Sequence, residues 1–332
     1  MPPPPEPAAA PGRIGTRRAG AFGLALEIDR GIEVPGLATE PPAPAAGREA
    51  PTAIALDPEA LERRWAGAEG ETRRMRELRA GDETLLTVDL REPAGYLLEA
   101  RDVGRVLVSP DGGEILCAPL PQAPEWAFIL PAQALPLAAT LRGLEVFHAA
   151  GVVVDGHAVL FAGEPGAGKS SLAAAFLRRG AGLLGDDAIA LEPRDGAIVA
   201  HPSAATVYLR QLEDDRLSPA KRDRLGASVA FASRRRYAPG TVPGPVPLAA
   251  FFLLERAAAG AAIEPAPAVD PFALLASTFN LSVRTPERLV HQLDVAGAIA
   301  EAGAVRRLRV LPGLDADRLA GIVEEHLLAA AG

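Results

Sequence analysis

Gly163-Glu164-Pro165-Gly166-Ala167-Gly168-Lys169-Ser170-Ser171 fits the pattern G-x-x-x-x-G-K-[ST], in which backbone amides and one lysine cradle nucleotide phosphates. Lys169 is one of only two lysines in the chain, with Lys221 the other, and arginine carries the remaining positive charge. A compact ammonium reaches the β- and γ-phosphates where a planar guanidinium does not fit, so a lysine here reads as a chemical requirement. The flanks suit the loop. Ala158–Ala162 is an apolar run expected to be a strand, and Ser170–Arg179 is expected to be a helix that Gly180 ends behind Arg178 and Arg179. The pattern predicts that residues 163–171 bind a nucleoside triphosphate, with Ser170 Oγ a ligand of Mg²⁺.

Outward from the loop, Val152-Val-Val-Asp155-Gly156-His157-Ala-Val-Leu160 has the Asp-Gly turn of a tight hairpin, which pairs Val154 with His157. Counting on in that register sets residue 148 opposite residue 163, so His148 is expected beside the first glycine of the loop. A structural, hydrogen-bonded imidazole is the alternative for His148. Downstream stands Gly182-Leu-Leu-Gly185-Asp186-Asp187. A right-handed crossover through the helix returns this segment parallel to the loop strand and brings both carboxylates to the phosphate edge. One would serve the metal and the other would meet a nucleophile, orienting and deprotonating a hydroxyl. A pair that only binds magnesium is the alternative.

The rest of the chain limits the choices. Its 332 residues allow one large domain or two ordinary ones, and a net charge of −8 argues against a nucleic-acid backbone as partner. Cys117 is alone, so no intrachain disulfide forms. No apolar run reaches spanning length, and no membrane is expected. Arg17-Arg18 ahead of Ala19–Ile28 imitates an export signal in outline, but Glu27 and Asp29 interrupt it, and a cytoplasmic protein is expected.

Residues 1–18 are rich in Pro and Ala and read as a disordered tail, as does part of Pro35–Pro51. Residues 19–124 read as a β-rich N-terminal domain with strands over Phe22–Ile28, Thr52–Leu56, Leu85–Leu90, Tyr96–Glu99, Arg105–Ser109 and Glu114–Ala118, and one helix capped by Asp57. Residues 125–145 read as a helical connector, and 146–332 as an α/β domain holding the loop. Within it Gln211–Leu225 reads as a charged helix with Asp214 and Asp215 on its solvated face, and Ser233–Pro247, with Arg234-Arg-Arg236, as a mobile loop.

From Phe147-His148-Ala-Ala-Gly-Val-Val-Val-Asp-Gly through Gly163–Ser170 to Arg178-Arg-Gly-Ala-Gly-Leu-Leu-Gly-Asp186-Asp187, the chain resembles the C-terminal domain of HPr kinase/phosphorylase. That family phosphorylates a serine of the phosphocarrier protein HPr and shares its nucleotide core with phosphoenolpyruvate carboxykinases. The resemblance implies an α/β fold with a P-loop core in a mixed sheet. It implies ATP and Mg²⁺ as cofactors, His148, Lys169 and Asp187 as catalytic residues, Asp187 as proton acceptor, Ser170 as a metal ligand, and Asp186 supporting the metal or His148. It also implies a homo-oligomer and a protein or peptide substrate bearing a serine hydroxyl. The family's glycine-rich segment with a second metal-ligating glutamate is not found, and His201–Arg210 stands in its place. Its C-terminal arginine has Arg284, Arg306 and Arg307 as candidates. The expected activity is transfer of the γ-phosphoryl group of ATP to a hydroxyl. A non-catalytic ATP sensor and a kinase of a small-molecule hydroxyl are the other readings.

Overall fold

The computed structural model describes residues 15–34, 36–37, 48, 50–231, 234–240, 242–259, 261–265, 271–279 and 282–331. The protein is a mixed α/β molecule with several mixed sheets and a β-rich N-terminal part.

The N-terminal part comprises β1 (Thr16–Ala21), β2 (Leu24–Asp29), β3 (Thr52–Leu56), α1 (Pro58–Gly67), β4 (Arg73–Ala80), β5 (Glu83–Arg91), β6 (Gly95–Ala100), β7 (Gly104–Val108) and β8 (Glu114–Pro119). Its strands form one sheet in the order β1-β2-β3-β8-β7-β6-β5-β4. Side chains alternate between its faces, as the pleat requires. Leu97, Leu107 and Leu116 meet Leu61 of α1, while Leu98, Val106, Val108, Ile115 and Cys117 face a large cluster on the other side. That cluster also holds Leu130, Leu135, Val146, Ala188 and Ala190, so the sheet and the rest of the chain share one core.

Thr16–Arg18 belong to β1, paired with Glu27–Asp29, rather than to a tail, and residues 1–14 lie outside the described residues. Phe22 is not in a strand. It and Gly23 form the turn between β1 and β2 with φ of 55° and 76°, and the buried Phe22 donates its N–H to Pro202 O at 2.7 Å. Most of Pro35–Pro51 lies outside the described residues.

The connector is helical over Trp126–Phe128 (a 3₁₀ turn), Leu130–Ala134 (a π turn) and α2 (Leu135–Leu141). Pro131 and Pro136, each lacking an N–H, stand at the starts of the second and third pieces, where a proline is tolerated.

The remaining elements are β9 (Glu145–Phe147), β10 (Ala149–Val154), β11 (His157–Gly163), α3 (Lys169–Arg178), β12 (Gly182–Gly185), β13 (Ile189–Arg194), β14 (Ala197–His201), β15 (Val207–Arg210), α4 (Gln211–Asp215), α5 (Pro219–Asp223), β16 (Ala227–Phe231), β17 (Arg234–Ala238), β18 (Val246–Arg256), β19 (Ala261–Pro265), α6 (Pro271–Leu275), α7 (Pro286–Glu301), β20 (Val305–Val310) and α8 (Ala316–Ala331). A second sheet runs β12-β10-β11-β18-β14-β13-β9, with β20 joining β18 and β19. In β11, Ala158, Leu160 and Ala162 face Phe251, Leu274, Val295 and Ile299 on one side. Val159 and Phe161 face Phe176, Phe252, Leu319 and Val323 on the other. The sheet is therefore a filling between α3 with α8 and α6 with α7.

Strands β15, β17 and β16 form a third, small sheet. Arg234-Arg-Arg236 thus lies in a strand, not in a mobile loop, because Tyr237 is buried and β17 is paired on both edges. The charged helix is two short ones, divided before Pro219. Asp214 is buried, not solvated, and accepts from Tyr237 Oη and from Arg235 Nε at 3.0 Å.

Candidate active site

Register brings the site residues to one edge of the second sheet. β10 is antiparallel to both β11 and β12, pairing Ala149 with Ala162 and Gly151 with Gly185. The start of β10 therefore lies between the ends of β11 and β12, and His148, Gly163 and Asp186 follow at those ends.

The segment Gly163–Gly168 is a strand-to-helix loop. Gly163 has φ 151°, and a Cβ there would stand 2.8 Å from Leu254 O of the neighbouring β18. Gly168, at φ 98°, caps α3 in a left-handed conformation that L side chains rarely adopt. Lys169 begins the helix, so its ammonium, the free amides of the first turn and the positive end of the helix dipole favour an oxyanion there. Lys169 is buried and donates from Nζ to Gly163 O at 2.8 Å and to Glu164 O at 3.4 Å. Burial lowers its pKa, and the charges of Asp187 and Asp186 oppose that shift.

Ser170 Oγ donates to Asp186 Oδ1 at 2.9 Å, and Asp186 Oδ2 accepts from the Tyr208 amide at 3.1 Å. The acidic doublet is thereby tied to the loop helix and to β15. Burial, then the Asp187 charge, pushes the Asp186 carboxyl up to about 7. Asp187 is exposed and has φ 79°, a left-handed conformation costing about 1–3 kcal/mol for a non-glycine residue. That turn sets its carboxylate beside His148. His148 Nδ1 lies 2.9 Å from Asp187 O and 3.7 Å from Asp187 Oδ1. The backbone N–H of His148 donates to Ser277 O at 2.6 Å, and its ring stands 6.1 Å from that of Phe279. Burial and the Lys169 charge lower the His148 pKa.

His148, Lys169, Ser170, Asp186 and Asp187 thus form one connected cluster, and the remaining loop residues 163–168 and 171 border it. The two carboxylates differ in role: Asp186 is committed to a hydroxyl and an amide, whereas Asp187 keeps an exposed carboxylate beside the imidazole. Across the loop, a cavity of about 490 Å³ is lined by Gly166, Leu172, Leu209, Leu254, Arg256 and Leu314, among others. Ser170 and Asp186 offer the hard oxygens that suit Mg²⁺, which takes one or two carboxylates and fills its octahedron with phosphate oxygens and water.

No family model matches the chain, and no curated protein matches it. In structure the chain is distantly similar to an HPr kinase. The solved Hpr(Ser) kinase/phosphatase from Coxiella burnetii matches 57% of this chain and 99% of that one, at 18% identity and a TM-score of 0.30. Of the three arginines weighed for a C-terminal role, Arg284 Nη2 donates to Met75 O at 3.4 Å, Arg306 Nη1 to Val305 O at 2.9 Å, and Arg307 Nε pairs with Glu255 at 3.5 Å. Among the described residues no helix is long and apolar enough to cross a membrane.

Two residues at the site escaped the sequence. Ser171 Oγ donates to Glu213 Oε1 at 2.9 Å, and Glu213 Oε2 accepts from the Arg210 amide at 3.3 Å. An acid at the third position of a helix was a readable capping signal, although its reach to the loop was not. Ser203 is the other. A Cβ on Gly185 would fall 1.8 Å from Ser203 Oγ, so the residue before the acidic doublet has no room for a side chain.

Proposed function

We propose that the protein is a Mg²⁺- and ATP-dependent kinase that transfers the γ-phosphoryl group to a hydroxyl, that of a serine in a protein or peptide. The observation that carries this reading is the Ser170 Oγ to Asp186 Oδ1 bond of 2.9 Å, which couples the glycine-rich loop to an acidic doublet whose second member faces His148. In this reading residues 163–171 form a phosphate-binding loop, and the roughly 490 Å³ cavity beside it takes the nucleoside.

Lys169 leaves the loop carbonyls to bind the β- and γ-phosphates, and Ser170 with Asp186 would hold Mg²⁺. When bound, that ion supplies charge neutralisation on the phosphates. Asp187, beside His148 and clear of Ser170, accepts the proton as the substrate oxygen attacks the γ-phosphorus. The new P–O bond forms as the bond to the β-phosphate oxygen breaks, and ADP leaves. His148 braces the Asp187 backbone through Nδ1 and keeps its ring beside the Asp187 carboxylate.

Incubation of the full chain with γ-labelled ATP, Mg²⁺ and a cell-extract peptide fraction tests this, with Lys169→Ala as the nucleotide-site variant. Label transferred to serine by the wild type and lost in Lys169→Ala supports the kinase. Nucleotide binding without transfer to any acceptor favours the sensor.

A further inference from the structure

Strand β4 forms one edge of the N-terminal sheet, and its arginines are not alike. Arg73 pairs with Glu92 at 3.0 Å, Arg79 with Glu77 at 3.1 Å, and Arg74 with Asp89. Arg76 is half-buried, and its partner among the described residues is a neutral amide, Gln133 Oε1, at 3.2 Å. Burial alone acts on it, lowering its pKa, with no acid opposing the shift. A guanidinium withdrawn from water with no counter-charge is costly to keep, and its forked donors match a carboxylate or a phosphate.

Its position is also specific. The neighbouring Met75 packs in the same apolar cluster as Phe279, whose ring lies against His148. The Arg76 charge also lowers the His148 pKa, after burial, the Lys169 charge and the opposing contacts of Asp187. The site therefore has, beside the acidic doublet and the loop, an arginine of the N-terminal sheet whose charge acts on His148 and which makes no ion pair among the described residues.

We propose that Arg76 receives an oxyanion of the phosphoryl acceptor, so that the substrate carries a carboxylate or a phosphate close to the hydroxyl that is modified. This rests on the kinase reading above and assigns to the N-terminal sheet a part in choosing the acceptor. Arg76 binds the anion bidentately, holding the hydroxyl between itself and Asp187. A neutral hydroxyl compound leaves the cation unpaired and is disfavoured.

The test uses the full chain as wild type, Arg76→Gln and Arg76→Lys. MgADP affinity is measured first, then each MgADP-saturated protein is titrated with inorganic phosphate in one arm and acetate in the other, followed by NMR of the protein. The wild type is expected to bind one or both anions, Arg76→Gln at least about tenfold more weakly, and Arg76→Lys in between, since a hydrogen bond to a charged group is worth that factor or more. The two arms tell a phosphate from a carboxylate. Equal anion affinity in wild type and Arg76→Gln, or no anion bound by the wild type, overturns the inference and leaves the kinase reading standing. Absence of MgADP binding by the wild type overturns the kinase reading, and the same titration on nucleotide-free protein, with Lys169→Ala added to remove the loop, still decides the role of Arg76.

Discussion

Asp187 faces His148 through both its backbone and its side chain, with its carbonyl oxygen 2.9 Å and its Oδ1 3.7 Å from the imidazole Nδ1. The left-handed backbone at Asp187, φ 79°, is what makes this double contact with a residue across the sheet edge.

Asp187→Ala is expected to keep nucleotide affinity and to lose phosphoryl transfer by about 10²–10⁴-fold, the range for a general base. Equilibrium titration with ATP and single-turnover transfer measure the two halves. Unchanged turnover removes Asp187 as the base.

Asp187→Gly is expected to be equally inactive but more stable than Asp187→Ala, by about 1 kcal/mol, because glycine takes the left-handed conformation without strain. Urea unfolding of both variants checks the difference. Equal midpoints and slopes mean that no strain is stored there.

Gly185→Ala is expected to destabilise the protein by about 1–3 kcal/mol, since its Cβ would fall 1.8 Å from Ser203 Oγ. Adding Ser203→Gly, which clears that space, restores part of the loss. The double-mutant coupling energy is the readout, and strict additivity argues against the contact.

The buried pair of Arg288 and Glu145, with Nη2 to Oε1 at 2.9 Å, ties α7 to β9. Arg288→Met alone should cost about 3–5 kcal/mol, because it strands a buried carboxylate. Arg288→Met with Glu145→Leu should cost much less. Thermal or urea unfolding of the single and double variants decides it.

Glu192 sets a pH dependence. Burial would raise its pKa, but the hydrogen bond and charge of His201, 2.9 Å away, and the Arg194 guanidinium outweigh it and hold the carboxyl at about 2. Between the unfolded value near 4.5 and about 2 the unfolded chain binds more protons, so this stabilisation is complete above about pH 4.5 and is lost as pH falls toward 2. It amounts to roughly 1–3 kcal/mol. Glu192→Gln should be less stable at neutral pH and flatter across that window, as measured by urea midpoints at successive pH values.

The hairpin at Asp155-Gly156 was legible because a two-residue turn fixes register locally, and counting from Val154–His157 reaches Ala149–Ala162 as the structure pairs them. Strand β4 was not. Arg-Arg-Met-Arg-Glu-Leu-Arg-Ala has no period-two apolar pattern, since an edge strand with a largely exposed face gives no reason for one. Arg234–Arg236 failed for a related reason: the single buried Tyr237 and the pairing to β15 and β16 make it a strand, and neither is local. The contact of Ser203 with the space at Gly185, and the influence of the Arg76 charge on His148, join residues that are not sequence neighbours, so no spacing announces them.

The apolar cluster that runs from β6–β8 through the connector to Val146, Ala188 and Ala190 sets a practical limit on dissecting the protein. A fragment beginning after residue 124 would leave those side chains wet and would lack the Phe22 turn that grips Pro202. Such a fragment should self-associate or be degraded rather than serve as a minimal domain.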